Sequence, residues 1–426
     1  MYEANEHAHK EIIIIVSGFA TGRYLAPLFR GKGYSCVHVA SSLEFQNQRL
    51  TTYFNPNDYL ENFIIDSESD YNNLLLKLAL YKVKLITVGS ESGIYIADKL
   101  SNIFKTPCNN FELSIARKNK FFMHDTLKQN NISCARQIKS SSITELINWF
   151  ESNQFKKIVI KPLASGSSDG VFYCINHNEI ANAAKFILQN KNVFNEVNNE
   201  VLAQEYISGK QYLVNSVTSN AVHYITDIWE EARLNSDVPS NDLFADLVNK
   251  DSSIYATLSE YTFSVLNALG IHYGAAHSEI RINENGICLI EIGARLAGKI
   301  DPSIIEGVYG YSQVSLLPYS FLDHTLFTQL INYQKTNKKY IRYVYLSSTV
   351  EGEVKNEPPL DMLYSIESVV SVCLNIAKGT YLHKTNRALK RPRPGYVYLA
   401  NDSLKKLKTD YEQLKLIEQD FYLSMM

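Results

Sequence analysis

The first hundred residues alternate short apolar runs with amphipathic segments, and this alternation constrains the fold more than any other feature of the sequence. A β-branched run, Glu11–Val16, ends at a Ser-Gly pair and is followed by a helical pattern over residues 24–29. Strand patterns also cover residues 36–40 and 83–88, and the second of these leads through a Gly/Ser-rich break into an amphipathic segment at residues 94–103. Strands that alternate with helices predict a parallel α/β sheet.

The length of the chain predicts more than one structural unit. A single hydrophobic core stops growing near about 250–300 residues, and the chain has 426. The pattern changes near residue 110 to a basic helical stretch, then at residue 211 to long strands, and after about residue 345 to a strand region that ends in a charged helix. We therefore predict an α/β unit at 1–112, two α+β lobes at 113–210 and 211–345, and a small α+β unit at 346–426.

Composition excludes several classes of partner. The formal net charge of −2 and the pI near 6.6 provide no general attraction for phosphate backbones, so no nucleic-acid partner is expected. The longest aliphatic run, residues 12–16, is far shorter than the roughly 20 residues that span a bilayer, and no membrane partner is expected. Six scattered cysteines without a C-x-x-C pair favour a reducing, cytoplasmic setting.

Two glutamates recur on neighbouring strand candidates. Glu279 and Glu291 flank a predicted turn at residues 283–286, and strand alternation places both on one face if the strands pair in an antiparallel way. Opposed carboxylates repel each other unless a cation lies between them, and magnesium prefers carboxylate and phosphate oxygens. The alternative is that both glutamates simply lie on a solvent-exposed face of the sheet. The apolar residues 288–290 argue against this alternative. A magnesium site is therefore predicted.

Three further patterns are each ambiguous when taken alone. Lys161 ends a strand pattern beside the Gly/Ser loop at residues 165–170, which suits either a phosphate-binding loop or a plain hairpin, since Asp-Gly is a favourable turn. The loop is not a P-loop. The segment 205–209 suits either adenine binding or an ordinary strand exit. Lys120 lies in a basic helix start that commonly faces solvent.

The order of these features resembles the motif series of the ATP-grasp superfamily. The series runs through Lys120, Lys161, the loop at 165–170, the segment 205–209, Glu279, Glu291 and Arg295. Within it, the sequence His-Ser-Glu at 277–279 together with residues 291–298 is similar to the bacterial L-amino acid ligases, which join unprotected amino acids. The resemblance covers most of the chain. It implies an ATP-grasp fold: a Rossmann-like pre-ATP-grasp domain, two lobes that clamp ATP and a small C-terminal unit.

The resemblance also implies roles for individual residues. Lys120 and Lys161 would hold ATP phosphates, and the loop would close over them through Ser165, Gly166, Ser167, Ser168 and Gly170. The adenine and ribose would lie against Glu205, Tyr206, Ile207 and Gln211. Glu279 and Glu291 would hold one or two Mg²⁺ ions, for which Mn²⁺ would substitute. The catalytic residues would be Arg295, Lys161 and His277, although a structural histidine explains the last equally well.

The sequence departs from the superfamily pattern at two positions. Many ATP-grasp enzymes have an asparagine as a further metal ligand where this chain has Gly293, and many have a glutamate where it has Gln211. The first departure is shared by the dipeptide-forming branch. The second leaves ribose binding neutral and puts nucleotide affinity in doubt.

The expected activity is ATP-dependent formation of a dipeptide from two L-amino acids through an acyl phosphate, with release of ADP and phosphate. One alternative is a ligase that joins an amino acid to a biosynthetic intermediate in a natural-product pathway. Another is a non-catalytic ATP-binding module. The expected partners are ATP and small-molecule amino acid substrates, with a homodimer by analogy alone. Trp229, Glu230, Glu231 and Arg233 are acceptor-pocket candidates, in which a glutamate would favour a cationic amino acid.

Overall fold

The computed structural model describes residues 10–51, 53–166, 168–233, 242–298, 301–332, 339–385 and 393–426. Its strands form two four-stranded sheets, one eight-stranded sheet and a two-stranded ribbon. Within these ranges no helix is both long enough and apolar enough to cross a lipid bilayer.

The N-terminal unit is a parallel sheet covered by helices. Its elements are β1 (Glu11–Val16), α1 (Leu25–Arg30), β2 (Ser35–Ala40), α2 (Ser42–Gln46), α3 (Gln48–Thr51), β3 (Glu61–Ile64), α4 (Glu68–Leu78), β4 (Lys82–Val88) and α5 (Ile94–Phe104). All strand pairs are parallel, in the order β3-β2-β1-β4. Residues 12–15 of β1 are fully buried, as expected for a central strand covered on both faces. The predicted parallel sheet is confirmed.

The second unit is a smaller antiparallel sheet with helices on it. Its elements are α6 (Lys120–Gln129), β5 (Gln137–Ser140), α7 (Ile143–Ser152), β6 (Ile158–Pro162), β7 (Phe172–Cys174), α8 (His177–Gln189) and β8 (Val201–Glu205). The sheet order is β5-β8-β6-β7. The helix predicted from residue 115 begins at Lys120, because the Asn119 side chain accepts hydrogen bonds from two backbone N–H groups and caps it there.

The third unit contributes long strands and, within its described residues, four helices. Its elements are β9 (Lys210–Ser219), β10 (Val222–Arg233), β11 (Asp242–Leu247), α9 (Ser253–Ala268), β12 (Gly274–Asn283), β13 (Gly286–Gly293), α10 (Pro302–Tyr309), α11 (Gln313–Leu322) and α12 (His324–Asn332). One face of the sheet packs on α6 and α9. The other face packs on α10, α11 and α12, which were not predicted.

The C-terminal segment continues the same sheet. Its elements are β14 (Tyr340–Tyr345), β15 (Gly352–Glu353), α13 (Leu360–Tyr364), β16 (Val369–Leu374), β17 (Tyr381–Leu382), β18 (Gly395–Asn401) and α14 (Leu404–Leu423). The eight strands follow the order β13-β12-β9-β10-β11-β14-β18-β16. The two last predicted units therefore share one sheet. The four-unit division of the chain stays a prediction.

Candidate active site

The two predicted metal-binding glutamates lie opposite each other on adjacent strands. Strands β12 and β13 are antiparallel, and their register pairs Glu279 directly with Glu291. A register irregularity follows Glu279 immediately. Directly paired residues project on the same face of a sheet, with Cβ atoms roughly 5 Å apart. The predicted cross-strand pair is confirmed, and its repulsion must be offset by cations.

The cations come from the facing lobe. Lys120, at the start of α6, places Nζ 3.0 Å from Glu291 Oε2 and donates to the Ser165 carbonyl oxygen at 2.8 Å. Lys161, at the end of β6, is 4% exposed. Burial raises the pKa of Glu291, but Lys120 and Lys161 outweigh it and hold that pKa well below its usual range. Burial likewise opposes the charge on Lys120, but the carboxylates of Glu291 and Glu91 raise its pKa.

The donor set fits a magnesium ion that is shared with phosphate. In the part of the chain that the structure describes, no group of three or more His, Cys, Asp or Glu side chains is arranged to hold a metal by itself. Two carboxylates from Glu279 and Glu291 leave coordination positions for phosphate oxygens and water, which Mg²⁺ retains in nucleotide sites. The two lysines, close to the same carboxylates, supply the charge that a polyphosphate needs.

The Gly/Ser loop connects two antiparallel strands, so it is a hairpin as well as a candidate phosphate loop. Ser165 Oγ donates to Asp169 Oδ2 at 2.9 Å, and the Asp169 N–H donates to the Gly166 carbonyl at 3.0 Å. Ser168 and Gly170 have positive φ of 57° and 65°. Asn192 Nδ2 donates to the Ala164 carbonyl at 2.7 Å and braces the base of the loop. Ser167 lies outside the described residues.

The predicted adenine and ribose residues are organised by an arginine that the sequence analysis did not single out. Arg281 Nε donates to Gln211 Oε1 at 3.0 Å, and its Nη1 donates to the Ile207 carbonyl at 2.6 Å. Gln211 Nε2 in turn donates to Glu279 Oε2 at 3.0 Å. Arg281 also lies 5.4 Å from the ring centroid of Tyr206. Gln211 and Arg281 therefore connect Glu279 to the segment at 205–209.

Glu205 is held by a different arginine. Arg136 donates through Nε and Nη2 to the two carboxylate oxygens of Glu205, both at 3.0 Å. Its side chain therefore already has a cationic partner. Adenine recognition at this strand end would rely on backbone groups, and the role of Glu205 stays a prediction.

Arg295 is held by a glutamate from the N-terminal unit. Its Nε and Nη2 both lie 2.9 Å from Glu91 Oε2, and Nη1 donates to the Leu296 carbonyl at 2.9 Å. Gly293 makes this contact possible, because a Cβ added there would lie 2.8 Å from Glu91 Oε2. The glycine that cannot serve as a metal ligand thus leaves room for a carboxylate from another unit. Glu91 lies in the Gly/Ser break after the strand pattern at residues 83–88, and no local signal there indicates a role for it.

His277 ends a buried row of polar side chains across three strands. Its Nδ1 lies 2.8 Å from Asn215 Oδ1, and Asn215 Nδ2 donates to Asp227 Oδ2. Asp227 also accepts from Trp229 Nε1 at 2.7 Å. Burial, assisted by Arg295, lowers the pKa of His277 to about 3, so the ring is neutral near pH 7. The hydrogen bond suits a structural histidine as well as an orienting one, and catalysis by His277 stays a prediction.

The acceptor-pocket candidates separate onto two faces. Trp229 pairs with Leu213, which also pairs with Glu279, so Trp229 shares the face of Glu279 and Glu291. Glu230 lies on the opposite face, where it accepts from Lys210 and Tyr212 at 2.7 and 3.1 Å. Its assignment to the acceptor pocket stays a prediction, which its place on the opposite face does not support.

Glu231 does lie on the face of Trp229, but it has partners of its own. It is 3.0 Å from Arg233, and Tyr345 donates to it at 3.2 Å. Its side chain is only 5% exposed. Both glutamates therefore already have cationic partners, and selection of a cationic amino acid by either one stays a prediction.

We expect ATP to bind more weakly as the pH rises above about 8. Burial, followed by repulsion from Lys120, lowers the pKa of Lys161 to about 8, so its ammonium is mostly charged at pH 7 and is lost at pH 9. The phosphates favour the charged form, so affinity should fall by up to about tenfold between these two pH values. Titration calorimetry measures it. Lys161→Met should bind weakly at both pH values, and a wild-type affinity unchanged at pH 9 would contradict the assignment.

Comparison with known proteins identifies the family and the fold. A family model described as the ATP-grasp domain matches residues 154–303. The chain is 31% identical over 421 residues to dapdiamide A synthase of Enterobacter agglomerans, with 97% of each chain covered. The solved structure of L-amino acid ligase from Bacillus licheniformis shares the fold with a TM-score of 0.74 at 15% identity, over 96% of this chain and 97% of that one.

A second solved structure contains the nucleotide. Carboxyaminoimidazole ribonucleotide synthase of Aspergillus clavatus, complexed with ATP, has a TM-score of 0.70 at 14% identity, over 98% of this chain and 99% of that one. At such low identity these structures establish the fold alone, whereas the relative that is aligned along nearly the whole chain establishes the family. The chain belongs to the ATP-grasp ligases, enzymes that join a carboxylate to an amine.

Proposed function

We propose that the protein forms a dipeptide from two L-amino acids, using ATP and releasing ADP and phosphate. The observation that carries the proposal is the opposed pair of Glu279 and Glu291, which faces Lys120 and Lys161 across the lobe interface. With magnesium bound by the two carboxylates, this arrangement would present positive charge to a γ-phosphate and an incoming carboxylate. The same arrangement suits activation of a carboxylate as an acyl phosphate, which an amine then captures.

The acidic and basic residues of the site would have different roles. Glu279 and Glu291 would hold magnesium, which when bound neutralises phosphate charge and orients the nucleotide. Lys120 and Lys161 offset the repulsion between the substrate carboxylate and the triphosphate. Arg295, with its planar guanidinium, stabilises charge spread over the transferring phosphoryl group. Catalysis thus depends on positioning and electrostatics more than on proton transfer.

The Gly/Ser loop would protect the intermediate. An acyl phosphate hydrolyses readily, so water must be excluded before it forms. The loop carries few side chains of any bulk, and Asn192 and Lys120 hold its base at the Ala164 and Ser165 carbonyls. Its tip can then close on the phosphates while its ends stay fixed.

The test is incubation of the protein with Mg-ATP and pairwise pools of the twenty amino acids, with phosphate release and product masses followed together. A mass equal to two amino acids minus water, formed with ADP, supports the proposal. ADP without a new mass indicates hydrolysis of the acyl phosphate for want of an acceptor. AMP and pyrophosphate would mean adenylation and would overturn the mechanism.

A second candidate is amide formation with a substrate that is not a free proteinogenic amino acid. It is favoured by the name of the relative that is 31% identical, dapdiamide A synthase. This candidate predicts slow ADP formation with the amino-acid pool and a product only when another amine or carboxylate is supplied. Binding of ATP without ADP under every supply would instead indicate a non-catalytic module.

A further inference from the structure

The N-terminal sheet has a point at which the strand order reverses. In the order β3-β2-β1-β4, the chain moves outward from β1 on one side and returns to the other side as β4. Ligands of open parallel sheets bind in the crevice outside the carboxyl ends of the strands at such a reversal. Here the loops at residues 17–24 and 89–93 flank that crevice.

The crevice adjoins the reaction centre. The two loops touch, because a Cβ added at Gly22 would lie 2.6 Å from Gly89 Cα. Gly89 is two residues from Glu91, a separation of about 7 Å along an extended chain. Glu91 binds Arg295 directly. The loop that carries Arg23, the residue after Gly22, therefore lies against the loop whose Glu91 holds Arg295.

That residue, Arg23, is half-buried and lacks an anionic partner. Its Cζ lies 4.6 Å from the ring centroid of Tyr24 and 4.7 Å from that of Tyr53, so two rings fix the guanidinium. Among the residues that the structure describes, it has no acidic partner, and its one hydrogen bond goes to Tyr24 Oη at 2.8 Å. Tyr53 Oη donates to the Leu374 carbonyl at 3.3 Å, so the ring that stacks on Arg23 is anchored to the C-terminal segment.

Other arginines near the unit boundaries have acceptors already. Those with a carboxylate partner are Arg117 with Asp98, Arg136 with Glu205, Arg295 with Glu91 and Arg342 with Asp246. Among these five, Arg23 alone has a stacked, oriented guanidinium without a carboxylate partner. The planar fork of arginine matches a carboxylate in a bidentate way.

We infer that Arg23 binds the carboxylate of the acceptor amino acid. The inference rests on the proposed function, in which two amino acids bring two carboxylates to the enzyme. The donor carboxylate is consumed at Arg295 and the phosphate, whereas the acceptor carboxylate survives in the product and needs a separate cation. Arg23 is such a cation, on the loop next to the one that carries Glu91.

The test compares L-amino acids with their α-carboxamides, which keep the amine and lose the charge. The wild type, Arg23→Gln and Arg23→Lys are each given Mg-ATP and the donor identified in the pool screen. The acceptors are either the pool of twenty amino acids or the matching pool of amides. Arg30→Gln is the control, because Arg30 is an exposed arginine of the same unit paired with Asp58. Thermal melting with Mg-ADP and each pool reports binding without turnover.

The wild type should prefer acids to amides, and Arg23→Gln should lower kcat/KM for acids about 10- to 100-fold while amides change little. Arg23→Lys should restore part of the preference, and Arg30→Gln should leave it intact. If the wild type forms no product but the acid pool raises its Tm in an Arg23-dependent way, the inference stands and the proposed function fails. The inference is overturned if Arg23→Gln keeps the wild-type preference for acids, or if the substitution affects only the donor. It is also overturned if the melting shift does not depend on Arg23.

Discussion

Replacing Glu291 by glutamine is expected to abolish detectable ADP and product formation, a loss of at least about 10²–10³-fold in kcat. Glu291 lies 3.0 Å from Lys120 and opposite Glu279, so it belongs both to the proposed magnesium shell and to the charge balance of the lysines. Glutamine keeps the volume and one oxygen but removes the charge. Lys120 and Lys161 would then repel each other without the carboxylate between them. Phosphate release and product masses measure the effect.

A matched control separates this effect from damage to the hairpin. Glu284 lies exposed in the turn that joins the same two strands. Glu284→Gln therefore makes the same chemical change at the turn end of the hairpin, away from the Glu279–Glu291 pair. It should leave turnover and Tm near the wild-type values. Retained turnover in Glu291→Gln, with Glu284→Gln also active, would remove Glu291 from the metal site.

Strand alternation and turn chemistry were sufficient to predict the cross-strand pairing of Glu279 and Glu291. Glu279 and Glu291 are joined by a short turn, so a period of two fixes which face each occupies once the register is set. The Lys161 strand and the following hairpin were predicted for the same local reason. The parallel N-terminal sheet followed from its β-branched runs.

Contacts between distant segments could not be predicted in this way. Glu91 and Arg295 are separated by 204 residues, and nothing local relates a Gly/Ser loop after one strand to a residue after another. Arg281 likewise lies on a strand where alternation alone suggests only a polar position. Such contacts are set by how the units pack, which depends on the whole core.

Helices α10 to α12 were missed for a different reason. Gly310 separates α10 from α11, and Pro318 lies inside α11. Both residues are typical of breaks in a helical pattern. The helices form nonetheless because they cover the face of the large sheet that carries Trp229, and that burial outweighs the local signals.

Replacing Arg295 by lysine is expected to lower kcat by about 10²-fold, because lysine retains the charge but not the planar fork that stabilises a transferring phosphoryl group. In the structure the guanidinium is already oriented by two contacts at 2.9 Å to Glu91 and one to the Leu296 carbonyl. An ammonium group cannot make all three in one plane. The KM for ATP should change less than kcat, since the lysines hold the phosphates. Steady-state kinetics with Mg-ATP separates the two parameters.

The contribution of the Glu91–Arg295 contact to kcat can be measured without changing the charge of either residue. In Gly293→Ala the new methyl group would stand 2.8 Å from Glu91 Oε2 and displace it from Arg295, whereas Gly298→Ala places a methyl group in open space. We expect Gly293→Ala to lower kcat about tenfold, in line with a lost charge-assisted hydrogen bond, and Gly298→Ala to have little effect. If Arg295 acts only through its orientation by Glu91, adding Gly293→Ala to Arg295→Lys should cost little more, because the contact is already broken. Fully additive losses would instead show that Gly293 and Arg295 contribute independently, and that the Glu91 contact does not position the guanidinium.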